Sequence, residues 1–155
     1  QMAIIEFARN KMHIKKATSS EFGSSGVPIV GLITEWNKDG KVIKGTDKNL
    51  GGTMRLGLYN AKLRDNSLIK KIYNTKIIKE RHRHRYEVNI GYKDQFEKNG
   101  MIFSGLSPDN KLPEIIELKN HPWFIAVQFH PEFRSRPLSP HPLFSSFIKA
   151  AKNHR

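Results

Sequence analysis

The run Ala126-Val127-Gln128-Phe129-His130-Pro131-Glu132-Phe133 constrains the fold more than any other stretch of the chain. Trp123 to Phe129 is nearly all apolar, the pattern of a strand buried on both faces, which belongs in a layered domain. The run ends on a histidine and, two residues later, a carboxylate. Pro131 between them fixes its own φ and restricts its predecessor, so the segment is expected to be stiff and extended rather than helical. A histidine that titrates near neutral pH can take a proton from a nucleophile, and a carboxylate beside it can fix its tautomer. A strand end whose His130 and Glu132 are merely solvated would carry the same residues.

The flanking elements follow from periodicity. Gln1 to Asn10 places Ile4, Phe7 and Ala8 at helical spacing with Glu6 and Arg9 opposite, an amphipathic helix without an N-cap in front of it. Such a start suggests that the chain begins inside an element. Gly23 to Gly26 reads as a turn and Pro28 to Thr34 as a short strand, with Asn37 to Lys48 a polar loop. Thr53 to Leu58 alternates as a half-exposed strand does. Leu63 to Tyr73 reads as extended or mixed structure. Tyr92 to Lys98 is a short helix stopped by Asn99-Gly100, and Met101 to Leu106, Glu114 to Leu118 and Trp123 to Phe129 are three strands. Pro142 to Lys152 closes the chain as a helix, with Phe144, Phe147, Ile148 and Ala151 on one stripe and Pro142 in its first turn. Helices at both ends of a set of strands predict one layered α/β domain, and no repeat or long linker divides it.

Composition narrows the classes of function. The 155 residues suffice for one core, or for part of a larger domain, and no stretch approaches the ~20 apolar residues of a membrane span. With no cysteine there is no disulfide, no thiolate metal site and no thiol nucleophile within the chain, and a reducing compartment is consistent with that. A net charge of +13 raises the expectation of anionic partners, nucleic acid among them. Most of the lysines are scattered through polar turns, however. Only Arg81-His82-Arg83-His84-Arg85 is concentrated, and it runs into Tyr86-Glu87-Val88-Asn89, which reads as ordered strand.

Four polar features stand out: Gln1, Glu21, the Arg81 to Arg85 tract, and His130 with Glu132. A small amino-acid substrate needs a carboxylate for its ammonium and a cation for its carboxylate, roles that Glu21 and Arg85 could fill, although from the residues alone a plain surface position is the simpler reading of each. Zinc on His82 and His84 is a weaker reading, since no third ligand is evident and the flanking arginines repel a dication. Glu80 with Arg81 and Arg83 reads as a solvated charge run.

Taken together, Gly52-Thr53-Met54-Arg55-Leu56-Gly57, Glu80 to Asn89 and Phe129-His130-Pro131-Glu132-Phe133 resemble the glutaminase domain of the CTP synthase family. Ser20-Glu21-Phe22, Leu32 to Trp36 and His121-Pro122-Trp123-Phe124 fit the same pattern. His-x-Glu is common to all class I glutamine amidotransferases, whereas the arginine-histidine tract followed by Tyr-Glu-Val-Asn is specific to this family. The resemblance runs from Gln1 to about Ala151. It implies a class I glutamine amidotransferase-like α/β domain with a central mixed sheet, of which residues 1–155 are a partial domain without its N-terminal strands and its elbow cysteine.

The resemblance also implies a reaction. A Cys-His-Glu triad hydrolyses L-glutamine, and the ammonia passes to a synthetase domain of the same parent chain, which aminates UTP to CTP with ATP and Mg2+. His130 would be the base and Glu132 its orienter. Gln1 would close the Cys-Leu-Gly-Met-Gln elbow and line the glutamine pocket, with Glu21 on the substrate's ammonium and Arg85 on its carboxylate. No cofactor or metal is implied within this chain. The parent would be a cytoplasmic homotetramer that meets UTP, ATP and GTP and no membrane. The elbow cysteine would fall just ahead of Gln1, so the 155 residues alone are expected to be inactive. The alternatives are another class I amidotransferase, or a non-catalytic basic module that binds nucleic acid or regulates.

Overall fold

The computed structural model describes residues 1–23, 25–32 and 54–154. The loop expected over Asn37 to Lys48, and the ends of two motifs at residues 33–36 and 51–53, lie outside the described residues. The chain forms two compact units, the first built from Gln1–Leu56 with Arg83–Asn99, the second from Gly57–His82 with Gly100–Arg155.

The first unit rests on helix α1 (Met2–Asn10), whose Ile4, Ile5, Phe7 and Ala8 are buried as the periodicity requires. Gln1 is the N-cap residue but makes no side-chain cap bond. Strands β1 (Ala17–Ser19) and β2 (Val27–Leu32) pair in parallel, and β5 (Tyr86–Val88) pairs antiparallel with β2, giving a mixed three-stranded sheet in the order β1-β2-β5. Helix α3 (Lys93–Lys98) brings Phe96 against Phe7, ring centroids 5.9 Å apart, and stops at Gly100 with φ +96°.

The second unit holds five strands in the order β4-β3-β6-β7-β8: β3 (Arg55–Leu63), β4 (Ile77–His84), β6 (Met101–Leu106), β7 (Pro113–Leu118) and β8 (Ile125–Val127). Strands β3 and β4 each pass from one unit into the other. A core of Ala61, Leu63, Ile69, Ile78, Ile115, Phe129 and Leu143 fills this unit.

Three expectations change. Leu68–Tyr73 is a helix, α2, within the stretch expected to be extended or mixed; Ser67 Oγ accepts the Lys70 N–H at 3.2 Å, and the Glu117 carboxylate accepts the N–H groups of Leu68 and Ile69 at 2.9 Å each. The apolar run at Trp123 shortens to three strand residues, all half-buried, because β8 ends the strand order and pairs with β7 alone. The closing helix α4 (Pro142–Asn153) buries Leu143, while Phe144, Phe147 and Ile148 are exposed in this chain, with Phe147 packed on Trp123 at 5.2 Å.

Candidate functional site

After β8 the chain leaves its partner. Gln128 still donates its N–H to the β7 residue Glu114, but the His130 N–H is accepted by the Arg81 carbonyl of β4 at 2.8 Å. His130 has extended backbone (φ −110°, ψ 91°), and from Pro131 the chain turns into a short 3-10 helix, Pro131–Arg134. The stiffness expected of His-Pro-Glu is present only up to His130. Proline suits the first position of a helical turn, where its missing N–H is not needed, so the segment winds rather than extends. That winding turns the Glu132 carboxylate back onto the imidazole.

His130 Nδ1 and Glu132 Oε1 are 2.7 Å apart. Glu132 lies below the ordinary carboxylate range: its slight burial pushes it up, but the imidazole hydrogen bond, a backbone N–H and the charge of His130 together outweigh that. An ionised carboxylate only accepts, so Nδ1 carries a proton, and in the neutral ring it is Nε2 that presents a lone pair. Phe133 stacks on the ring at 5.2 Å and 25°. The pair is half-exposed, as a base that must meet a substrate has to be.

Gln1, Glu21 and Arg85 all belong to the first unit, and its topology brings them to one end of the sheet. Ser19 lies opposite Val30 and Leu32 opposite Tyr86, so the carboxyl ends of β1 and β2 share an edge with the start of β5. Glu21 sits just beyond β1, exposed on the 3-10 turn Ser20–Phe22, its N–H 3.3 Å from Ser19 Oγ. Arg85 lies between β4 and β5, half-buried. The Gln1 side-chain amide donates to the Tyr86 carbonyl at 2.6 Å, and His84 Nδ1 approaches the same oxygen at 3.1 Å. An anion and a cation therefore flank the carboxyl end of a parallel strand pair, the usual place for a ligand in α/β sheets.

The Arg81 to Arg85 tract is folded strand rather than a basic arm. Alternation turns Arg81 and Arg83 outward and buries Glu80 and His82, so Glu80, expected in a solvated charge run, is only 4% exposed. His82 points at Glu114, its Nε2 3.6 Å from Oε2. Sequence reasoning also passed over the contacts of two chain neighbours of Arg85, Glu87 and His84: Arg55 Nη1 meets Glu87 Oε1 at 3.0 Å, both side chains buried, with His84 Nδ1 3.5 Å from the same oxygen. No local pattern marks this burial, since Glu87 has polar residues at both i±2 positions, Arg85 and Asn89.

The family model for glutamine amidotransferase class-I matches residues 1–150. The chain is 81% identical over its whole length to a CTP synthase of Pelagibacter ubique, of which it covers 29%, and 60% identical over 97% of its length to the CTP synthase of Zymomonas mobilis, of which it covers 28%. The chain thus spans under a third of the length of these relatives. Among solved structures, the glutaminase domain of Trypanosoma brucei CTPS with bound acivicin matches all of the chain at TM-score 0.83 and 33% identity, over 58% of that domain's chain.

Proposed function

Because the chain belongs to the class-I glutamine amidotransferases, we propose that it is the part of a glutaminase domain that carries the base and the substrate-gripping groups for releasing ammonia from L-glutamine. The observation that carries this reading is the 2.7 Å bond between His130 Nδ1 and Glu132 Oε1. It leaves Nε2 to accept a proton from a thiol nucleophile and later to return it to the departing ammonia, while Glu132 steadies the imidazolium formed in between. Glu21 would hold the substrate ammonium and Arg85 its carboxylate, and the Gln1 amide would line the pocket. The chain holds no cysteine, so the nucleophile has to come from residues outside these 155.

Likeness to the CTP synthases supports the larger reaction: ammonia passes to a synthetase domain of the parent chain, which aminates UTP to CTP at the expense of ATP with Mg2+ in a cytoplasmic, GTP-responsive homotetramer. ATP and Mg2+ would be bound by that domain. Among the described residues no group of three His, Asp or Glu side chains is placed to hold a metal, and no helix is long and apolar enough to cross a membrane.

The test uses the full-length protein. His130→Ala is expected to abolish glutamine hydrolysis while synthesis from added ammonia persists, and a glutamine-mimicking electrophile is expected to label a cysteine preceding Gln1. Undiminished hydrolysis by His130→Ala would refute the reading. The 155-residue chain alone is expected to release no ammonia from glutamine.

A further inference from the structure

Two buried acid–histidine pairs flank the residue just before the base, and neither has a part in the chemistry above. Glu80 and His82 are two apart on β4, so both side chains face the interior of the second unit. Glu80 Oε1 accepts the Tyr73 hydroxyl at 2.9 Å and lies 3.1 Å from His141 Nε2. His141 Nδ1 accepts the Leu143 N–H at 3.3 Å, which caps α4 and leaves the ring proton on Nε2, directed at Glu80. Burial and the neighbouring Glu80 charge push the Tyr73 hydroxyl far above its ordinary range, so it serves only as a neutral donor. Phe129 is held between the His82 and His141 rings, centroids 6.1 and 6.4 Å away.

The outer edge of the same strand carries the base. The Arg81 carbonyl accepts the His130 N–H, and the Lys79 carbonyl accepts the Arg134 guanidinium, so the two acceptors flank Glu80 in sequence. At the other end of the segment, Ser135 Oγ accepts the His141 N–H at 3.1 Å. Residues 130–135 are therefore tied to one cluster at both ends, through β4 to Glu80 and through Ser135 to His141. The bond between Glu80 and His141 closes the circuit.

We infer that Glu80, with Tyr73 and His141, is a positioning device for His130 that sets where the imidazole stands without touching the substrate. This rests on the glutaminase reading. A buried carboxylate is a poor way to gain stability, since apolar side chains of the same volume do as well or better. What directed bonds add over an apolar filling is the fixed placement of atoms, and a misplacement of about 1 Å in a reacting group costs on the order of 100-fold in rate.

The experiment compares Glu80→Ala, Glu80→Gln and Tyr73→Phe in the full-length protein, measuring glutamine hydrolysis and, as a control for folding, synthesis from added ammonia. Glutamine at Glu80 keeps the Oε1 acceptor for both partners, and Oε2 has no hydrogen-bond partner among the described residues. Glu80→Ala is expected to lose on the order of 100-fold in kcat with KM within about twofold, and Glu80→Gln to recover all but a few-fold of that loss. Tyr73→Phe, which deletes one hydroxyl, is expected to lower kcat several-fold at unchanged KM and decides the matter should Glu80→Ala fail to fold. The inference is overturned if kcat in Tyr73→Phe and in any folded Glu80 variant matches the unaltered protein, or if kcat and ammonia-driven synthesis fall together. Retained hydrolysis by His130→Ala is the separate result that refutes the glutaminase reading itself.

Discussion

The buried pair Arg55–Glu87 offers a sharp test of how the first unit is held together. At 3.0 Å and an effective dielectric of about 20, the Coulomb attraction amounts to roughly 5 kcal/mol. Taking both charges out of water costs several kcal/mol per ion, so the intact pair contributes little net stability over an apolar replacement. The asymmetry lies in breaking it. With Glu87 fully buried and the Arg55 side chain 8% exposed, removing one partner leaves the other charge desolvated, at a cost of about 3–5 kcal/mol. Arg55→Met and Glu87→Gln are each expected to destabilise the first unit by that order, Glu87→Gln the more because His84 also faces this carboxylate. The double variant is expected to fall short of the sum by about 2 kcal/mol or more.

The assay has to be local, because a multidomain protein does not unfold in one step. Hydrogen exchange of the β2–β5 ladder amides, Val30 and Val88 among them, reads the opening free energy of this unit within the full-length protein. Since Arg85 sits between His84 and Tyr86, both single variants are also expected to raise the KM for glutamine more than they lower kcat. Single-variant costs below about 1 kcal/mol, or strict additivity in the double variant, would refute the reasoning and make the contact a screened surface pair in effect.

Other outcomes follow from single residues. Glu132 has a folded pKa below its unfolded one, so its pairing stabilises above the ordinary carboxylate range and is lost as pH falls through the folded value; in His130→Ala the lowering bond is gone and burial remains, so a carboxyl 13C titration is expected to move its midpoint upward. Glu117→Ala strips α2 of two charge-assisted acceptors and is expected to cost about 3 kcal/mol by hydrogen exchange of α2, with a loss under about 0.5 kcal/mol counting against the clasp. Gly26→Ala is expected to cost about 1–3 kcal/mol in the same assay of the β2–β5 ladder, since φ is +122° and the added Cβ would lie 2.6 Å from the Lys16 carbonyl, which is already held by the Val27 N–H; an unchanged opening free energy would refute it.

Local patterns in the sequence were enough for α1, for the stop at Gly100 and for the start of α4 at Pro142, because a 3.6-residue stripe, a positive φ and a fixed φ each act within one turn of chain. They were not enough for α2. Six residues give less than two turns of periodicity, and the acceptor for its first two N–H groups, Glu117, lies 48 and 49 residues away. The apolar stripe of α4 identifies residues that share a face but not whether this chain covers that face, and Phe147 and Ile148 are exposed. At the candidate site, His130 and Glu132 are readable because both are local to one proline. The burial of Glu80 is not, since its partner His141 stands 61 residues on.

The arginine-histidine tract shows how one strand can serve two purposes at once. Period-2 alternation sends Arg81 and Arg83 to the outside while Glu80 and His82 go in, so the basic charge is displayed and the acid and imidazole become framework. Backbone is the third element: the Arg81 carbonyl, which neither side chain uses, receives the His130 N–H. Slipping the register by one residue would bury two guanidiniums, expose Glu80 and His82 and carry that carbonyl away from His130. Beyond His82 the same strand continues into the other unit and ends at His84, one residue before Arg85, the residue proposed to hold the substrate carboxylate. Four of the six positions in Glu-Arg-His-Arg-His-Arg then carry distinct roles: an inward acid at Glu80, an outward cation at Arg81 whose carbonyl anchors His130, an inward imidazole at His82, and a cation at Arg85 just past the strand end.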